Sequence, residues 1–91
     1  MNKSKMNSLI KVGRKACQHA KNKKASQYET ACAVSDAIEE RFAELWPDLA
    51  AEDEKNGTCN NMLNLPEYQE AVLALSKLGV PTHEYQDAGL Y

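Results

Sequence analysis

The stretch that decides the fold is residues 24–47, KASQYETACAVSDAIEERFAELWP. Ser26 stands three residues before Glu29, the spacing in which a serine caps the free amides of a helix start and the glutamate reaches back to the cap. Apolar residues then recur at the spacing of one helix face, at Ala31, Val34, Ile38, Phe42 and Leu45. Pro47 has no amide hydrogen and disfavours helical geometry at Trp46, so we expect a helix from Ser26 that breaks or kinks there.

The residues before this stretch predict an N-terminal helix that packs antiparallel to the helix starting at Ser26. Apolar or small residues share one of its faces: Met6, Leu9, Ile10, Gly13, Ala16, Cys17 and Ala20. We place this helix at residues 5–23, and the short turn around Lys24 and Ala25 makes the pair a hairpin. Residues that face each other across such a hairpin have numbers that add to about 50, which brings Cys17 level with Cys32 or Ala33.

The residues after Pro47 predict one more main helix and some short turns. Residues 48–54 have room for another turn or two, ended by Asn56-Gly57, and residues 55–61 form the one candidate linker loop. Pro66 opens a helix whose apolar face carries Tyr68, Ala71, Val72, Leu75 and Leu78, with Gly79 as its left-handed cap. Thr82 is expected to cap a final short turn through Ala88.

Together these patterns predict an all-α fold, a small bundle of three main helices. The first two form the N-terminal antiparallel hairpin, the third lies across them, and the short extra turns follow Pro47 and Pro81. The aromatic residues Phe42, Trp46 and Tyr68 fall at core positions. We expect residues 1–91 to form a single helical domain in which residues 1–4 and 89–91 are mobile and the tail aromatics Tyr85 and Tyr91 pack back.

Composition narrows the class of protein. A chain of 91 residues supports a modest core but not a deep, walled active site. Apolar residues make up 43%, and their runs are far shorter than the ~20 residues that cross a bilayer. Basic residues interrupt the segment where a signal peptide needs a continuous apolar region. Three cysteines without CxxC spacing suit reduced thiols, so we expect a cytoplasmic protein without membrane contact.

Charge is divided unequally along the chain. Residues 1–24 hold eight basic side chains and no acidic one, whereas residues 25–91 hold three basic and thirteen acidic ones. The net charge of −2 therefore combines a strongly basic first helix with an acidic remainder.

The basic helix permits two interpretations. Clustered Lys and Arg attract phosphate, so it is a candidate nucleic-acid-binding surface, formed by Lys11, Arg14, Lys15, Lys21, Lys23 and Lys24. The favoured interpretation is internal neutralisation, because the hairpin brings Lys21 level with Glu29, Arg14 with Asp36, Lys11 with Glu39 and Lys5 with Glu44. Such exposed pairs contribute only about 0.2 to 1 kcal/mol each, but they would set the helix orientation.

The acidic side carries carboxylates at every fourth residue: Asp36, Glu40, Glu44, Asp48 and Glu52. On a helix they would stand ~6 Å apart along the axis, comparable with phosphates along a nucleic-acid strand. A basic groove would bind such an acidic face, although Pro47 interrupts its middle. The alternative is a solvated face that keeps the protein soluble and partly pairs with the first helix.

Residues with catalytic or ligand chemistry are few. His83-Glu84 begins like a zinc-protease helix, but Asp87 stands where the second histidine belongs. For nucleophilic catalysis, Cys59 with one of the two histidines is the only arrangement available, and no spacing supports it. We therefore predict no catalytic residues, no metal site and no cofactor.

The sequence accordingly favours binding over catalysis. The preferred hypothesis is a non-enzymatic protein that occupies a macromolecular partner's surface through the acidic face, with a protein partner that carries a basic nucleic-acid-binding groove. Small inhibitors carried by mobile elements are similar in size and charge only. The alternatives are a small DNA- or RNA-binding regulator that uses the basic helix, and an assembly subunit of a homo-oligomer.

Overall fold

The computed structural model describes residues 1–84, and it confirms an all-α bundle with three long helices. The helices are α1 (Lys3–Asn22), α2 (Gln27–Leu45), α3 (Pro47–Asn56), α4 (Asn60–Leu63) and α5 (Pro66–Lys77). The first helix begins at Lys3, two residues earlier than predicted, because the Asn2 side chain caps it by accepting a hydrogen bond from the Lys5 amide.

The predicted ends of α2 are confirmed. The Glu29 amide donates to Ser26 Oγ at 3.1 Å, and the Ser26 amide donates to Glu29 Oε1 at 3.2 Å, which completes the capping box. Hydrogen bonds from Ser26 lower the pKa of the Glu29 carboxyl below its ordinary value, so the stabilisation that the carboxylate gives is present at neutral pH and decreases on acidification. At the other end Trp46 leaves helical geometry, and Pro47 opens α3 as its first residue.

The glycines after α3 and α5 act as predicted. Gly57 ends α3 with a φ of +66°, and Gly79 follows α5 with a φ of +78°. This left-handed region costs glycine little, and it lets the Val80 amide turn back to the Leu75 carbonyl at 2.9 Å.

The segment predicted as a loop between α3 and α5 contains a helix that the sequence pattern did not reveal. Asp53 is buried, and its two carboxylate oxygens accept hydrogen bonds from the amides of Asn61 and Met62, at 3.0 and 3.2 Å. The α3 carboxylate thus satisfies amides at the start of α4, and Met62 enters the core.

The core forms where α1, α2 and α5 meet. The hairpin register is confirmed by two bonds between its helices, from Lys5 Nζ to the Leu45 carbonyl at 3.0 Å and from Arg41 Nη1 to Ser8 Oγ at 2.6 Å. Two contacts show that α5 runs parallel to α1. The Asn2 amide donates to Glu67 near the start of both helices, and Gly13 faces Leu75 further along both. Phe42, Tyr68 and Leu75 are buried as predicted, and half-buried Trp46 stacks on Phe42 with ring centroids 5.8 Å apart.

Several sequence-based expectations extend beyond the described residues. Thr82 is buried, and the neighbouring His83 amide donates to Ser35 Oγ at 3.0 Å. The predicted turn through Ala88, the packing of Tyr85 and Tyr91 and the mobility of residues 89–91 concern residues outside the described range.

Within residues 1–84, none of the helices combines the length and apolar character needed to span a bilayer.

Gly13 sets how closely α5 approaches α1, and replacing it should reveal this. A Cβ at Gly13 would stand 2.7 Å from Leu75 Cδ1, and Leu75 is fully buried. We expect Gly13→Ala to lower the free energy of unfolding by about 1 kcal/mol, because overpacking costs about 2 kcal/mol and the better helix propensity of alanine recovers only about 1 kcal/mol. Urea unfolding followed by circular dichroism measures the change.

The matched experiment repeats the substitution in a Leu75→Val background. Shortening Leu75 removes the clash, so Gly13→Ala should there be neutral or stabilising. An equal loss in both backgrounds would show that the contact with Leu75 does not set the packing.

Candidate functional site

The basic candidates of α1 and its following turn are all exposed. They are Lys11, Arg14, Lys15, Lys21, Lys23 and Lys24. Each residue of a helix adds about 100° of rotation. Measured from the buried Leu9, Lys11 therefore lies about 200° around the helix, Arg14 about 140° and Lys21 about 120°. They therefore point away from the core, and no acidic residue stands on α1 to interrupt them.

The predicted neutralisation of this basic helix by α2 is wrong. None of the four expected pairs, Lys21–Glu29, Arg14–Asp36, Lys11–Glu39 and Lys5–Glu44, is an ion pair in the structure; between residues 1 and 84 the ion pair present is Arg41–Glu44, at 3.4 Å. The register was right, but register fixes height along the hairpin and not direction around each helix. The two helices meet through their apolar faces, so level charges point outward on both.

Lys5 has a different partner from the one predicted. Its ammonium group donates to the Leu45 carbonyl and lies 4.9 Å from the centroid of the Trp46 ring. A cation at this position satisfies a free carbonyl at the end of α2 and complements the negative end of the helix dipole. Lys5 therefore joins the N-terminus of α1 to the C-terminus of α2.

The acidic face is exposed but divided between two helices. Asp36, Glu40 and Glu44 share one side of α2, and Asp48 and Glu52 continue the four-residue spacing on α3. The chain turns between the two sets at Trp46, where φ is −131° and ψ is 66°. The face is therefore two short carboxylate rows rather than one straight ridge, and Glu44 is partly engaged by Arg41.

Sequence reasoning missed a shallow groove that runs along the hairpin between these charged surfaces. Two adjoining depressions of about 310 and 510 Å³ share Ala16 and His19, and their lining comes only from α1, α2 and the turn between them. The signal was present: the numbers of Ala16 and Ala37, and of Ala20 and Ala33, each add to 53, so each alanine pair lies within one helical turn of equal height in the hairpin.

A small cavity on the opposite flank of α2 brings chemically active groups together. Cys59, Glu39 and His83 line about 160 Å³ with Tyr68, whose hydroxyl donates to Glu84 at 2.7 Å. The Cys59 thiol lies 3.9 Å from Glu39 Oε1. Loss of solvent, and then the carboxylates of Glu39 and Asp53, raise the pKa of the Cys59 thiol above its ordinary value.

That electrostatic setting opposes nucleophilic chemistry. A reactive cysteine needs a cation or base that stabilises the thiolate, whereas carboxylates here stabilise the protonated thiol. The same surroundings, burial first and then Glu84, raise the pKa of Tyr68.

All three cysteines are free thiols, and no group of three or more metal-ligating side chains occurs in the part of the chain that the structure describes. Asp87, the zinc-motif candidate, lies outside it.

Comparison of the chain with protein-family models, with curated proteins and with solved structures finds no match. The surfaces of the chain that are open to a partner are the basic face of α1, the acidic face of α2 and α3, and the groove between α1 and α2.

The thiol chemistry of Cys59 can be measured directly. Although Cys59 is exposed, its alkylation by iodoacetamide at pH 8 should be slower than that of an unstructured cysteine peptide, because its raised pKa lowers the thiolate fraction. Glu39→Gln removes one of the raising charges and should speed the reaction by about twofold, which corresponds to a few tenths of a pKa unit. Mass spectrometry of the Cys59 peptide gives the rate.

Glu40→Gln is the matched control, since Glu40 lies on the other flank of α2 and lines a different depression. It should leave the rate unchanged. A rate that falls in Glu39→Gln would contradict the electrostatic account.

Proposed function

We propose that the protein is a non-enzymatic binding protein that occupies the surface of a macromolecular partner through its acidic face. The observation that carries this proposal is that Asp36, Glu40, Asp48 and Glu52 are exposed and form no ion pair with another described residue. Their charge is thus available to a partner. No basic residue of α1 lies within ion-pair distance of these carboxylates.

The spacing of these carboxylates favours a partner that binds nucleic acid. On α2 the carboxylates recur with an axial rise of about 6 Å, so a groove built for successive phosphates would meet charges at similar intervals. A row of like charges four residues apart costs a helix a few tenths of a kcal/mol per pair, so it brings no local benefit. A small inhibitor of a nucleic-acid-binding protein is the role that this surface supports best.

Charge reversal tests the acidic face. The triple variant Glu40→Lys, Glu44→Lys, Asp48→Lys should lose capture of its partner from host lysate and should bind synthetic poly-lysine at least tenfold more weakly, because attraction becomes repulsion. Affinity capture and fluorescence anisotropy with labelled poly-lysine measure the two effects, and circular dichroism checks that helix content is unchanged.

The control reverses three exposed carboxylates elsewhere, Glu39, Glu54 and Glu70, and so carries the same net charge. If both triple variants lose binding equally, net charge and not the acidic face is responsible. If the first variant keeps full capture, the proposal fails.

A second candidate function is nucleic-acid binding by the basic face of α1. It is supported by the same missing ion pairs, since Lys11, Arg14, Lys15, Lys21, Lys23 and Lys24 have no carboxylate partner among residues 1–84. Lysine predominates and no aromatic side chain is interspersed for base stacking, so contacts would be to phosphates without sequence readout.

This candidate predicts a strong dependence on salt. A fluorescein-labelled 20-base-pair duplex should bind at low ionic strength, and the logarithm of affinity should fall linearly with the logarithm of salt concentration. Lys11→Gln, Arg14→Gln and Lys21→Gln should each reduce the slope by about 0.9, whereas Lys77→Gln on α5 should not. Absence of any anisotropy change at low salt would rule the candidate out.

A further inference from the structure

The groove between α1 and α2 lies on the side of the hairpin that α5 does not cover. Gly13 of α1 faces α5, and no residue of α3, α4 or α5 lines the groove. Its floor consists of short side chains, among them Val12, Ala16 and Ala37, all only partly buried. A helix laid on this floor could approach closely, because interhelical distance falls when the contact residues are small.

The two edges of the groove carry opposite charge. On the α1 side stand Lys15, His19 and Lys23, and on the α2 side stand Glu29, Glu40 and Glu44, together with Arg41, which pairs with Glu44. Apart from Glu44, which Arg41 engages, these carboxylates have no cationic partner within ion-pair distance in residues 1–84. An occupant of the groove must therefore present an acidic edge to α1 and a basic edge to α2.

We propose that the occupant is a second copy of this chain, in a two-fold symmetric dimer whose axis runs parallel to α1 and α2. Rotation by 180° about that axis places α1 of one copy against α2 of the other at the same height. Lys15 and Glu40 line the same depression and differ in height by about 7.5 Å, so Lys15 of each copy comes within side-chain reach of Glu40 of its partner. The basic edge of each copy then faces the acidic edge of the other, so this contact occurs at two symmetric places in the dimer.

The charges also select this axis over its alternative. A two-fold axis perpendicular to the helices, within the plane of the groove, would place α1 against α1 and α2 against α2. That arrangement opposes Lys15 to the partner's basic helix and Glu40 to the partner's acidic helix, and like charges in direct contact are destabilising. Only the parallel axis makes the surface self-complementary.

The size of the surface suits a dimer. With 20 and 19 residues, α1 and α2 form a face about 30 Å long and about 20 Å wide. That is on the order of 600 Å² before side-chain relief is counted, close to the ~800 Å² per partner of a standard interface. The two stacked hairpins then form a four-helix bundle in which antiparallel neighbours pack through small and apolar side chains.

The dimer does not rest on the proposed function, and the two compete for part of the same surface. Pairing covers Glu40 and Glu44, whereas Asp48 and Glu52 on α3 and Arg14 on the outer side of α1 stay open. Self-association is measured on the protein alone, so its failure leaves the acidic-face and nucleic-acid proposals untouched.

Two single charge reversals test the dimer. The wild-type chain at about 100 µM should sediment with twice its 10.1 kDa mass at low salt, since interfaces of this size reach micromolar or tighter affinity, and it should dissociate as salt rises. Lys15→Glu and Glu40→Lys each place like charges together at both symmetric contacts. Each should weaken self-association by at least about tenfold.

Mixing the two variants gives the decisive result. In the mixed dimer both contacts again join opposite charges, so Lys15→Glu and Glu40→Lys should associate with each other while neither associates with itself; the double variant should likewise regain the dimer. The control Glu70→Lys on α5 should behave as wild type. A wild-type chain that is monomeric at low salt overturns the proposal, as does a mixture that stays monomeric, or single variants that remain as dimeric as the parent.

Discussion

The close contact at Gly13 is the constraint on which the arrangement of the molecule depends. Because Gly13 has no side chain, Leu75 of α5 and Ile38 of α2 meet against the backbone of α1. This contact places α5 on one side of the hairpin and leaves the other side open. It therefore determines which surfaces the fold buries and which it leaves exposed: the groove and its two charged edges are what α5 does not cover.

Local chemistry made most of the fold predictable. Ser26 with Glu29, Pro47, Gly57 and Gly79 each act through their own backbone geometry, so they mark helix ends without knowledge of the rest of the chain. The helix α4 was not predictable in this way. It has only four residues, too few for an apolar period, and the group that satisfies its first amides is a carboxylate of the preceding helix.

The charged surfaces show where sequence reasoning about sites stops. The sum of residue numbers across a hairpin gives the height of Arg14 and Asp36 correctly, but an ion pair also needs both side chains to point at each other. Direction around a helix is set by which face is buried, and both of these helices bury their apolar faces against the shared core with α5. Lys5 illustrates the same limit, because its partner is a backbone carbonyl that becomes free only where Pro47 ends α2.

The described part of the chain buries few of its charged groups. Its two buried carboxylates, Asp53 and Glu67, both accept backbone hydrogen bonds, so each is satisfied next to the start of a helix. Loss of solvent and the surrounding carboxylates raise the pKa of the Cys59 thiol. The remaining charge lies outside the core, sorted by helix into a basic and an acidic surface, and such sorting gains nothing for the folded monomer. Separated surfaces of opposite sign are able to attract partners of different chemistry and to orient each of them.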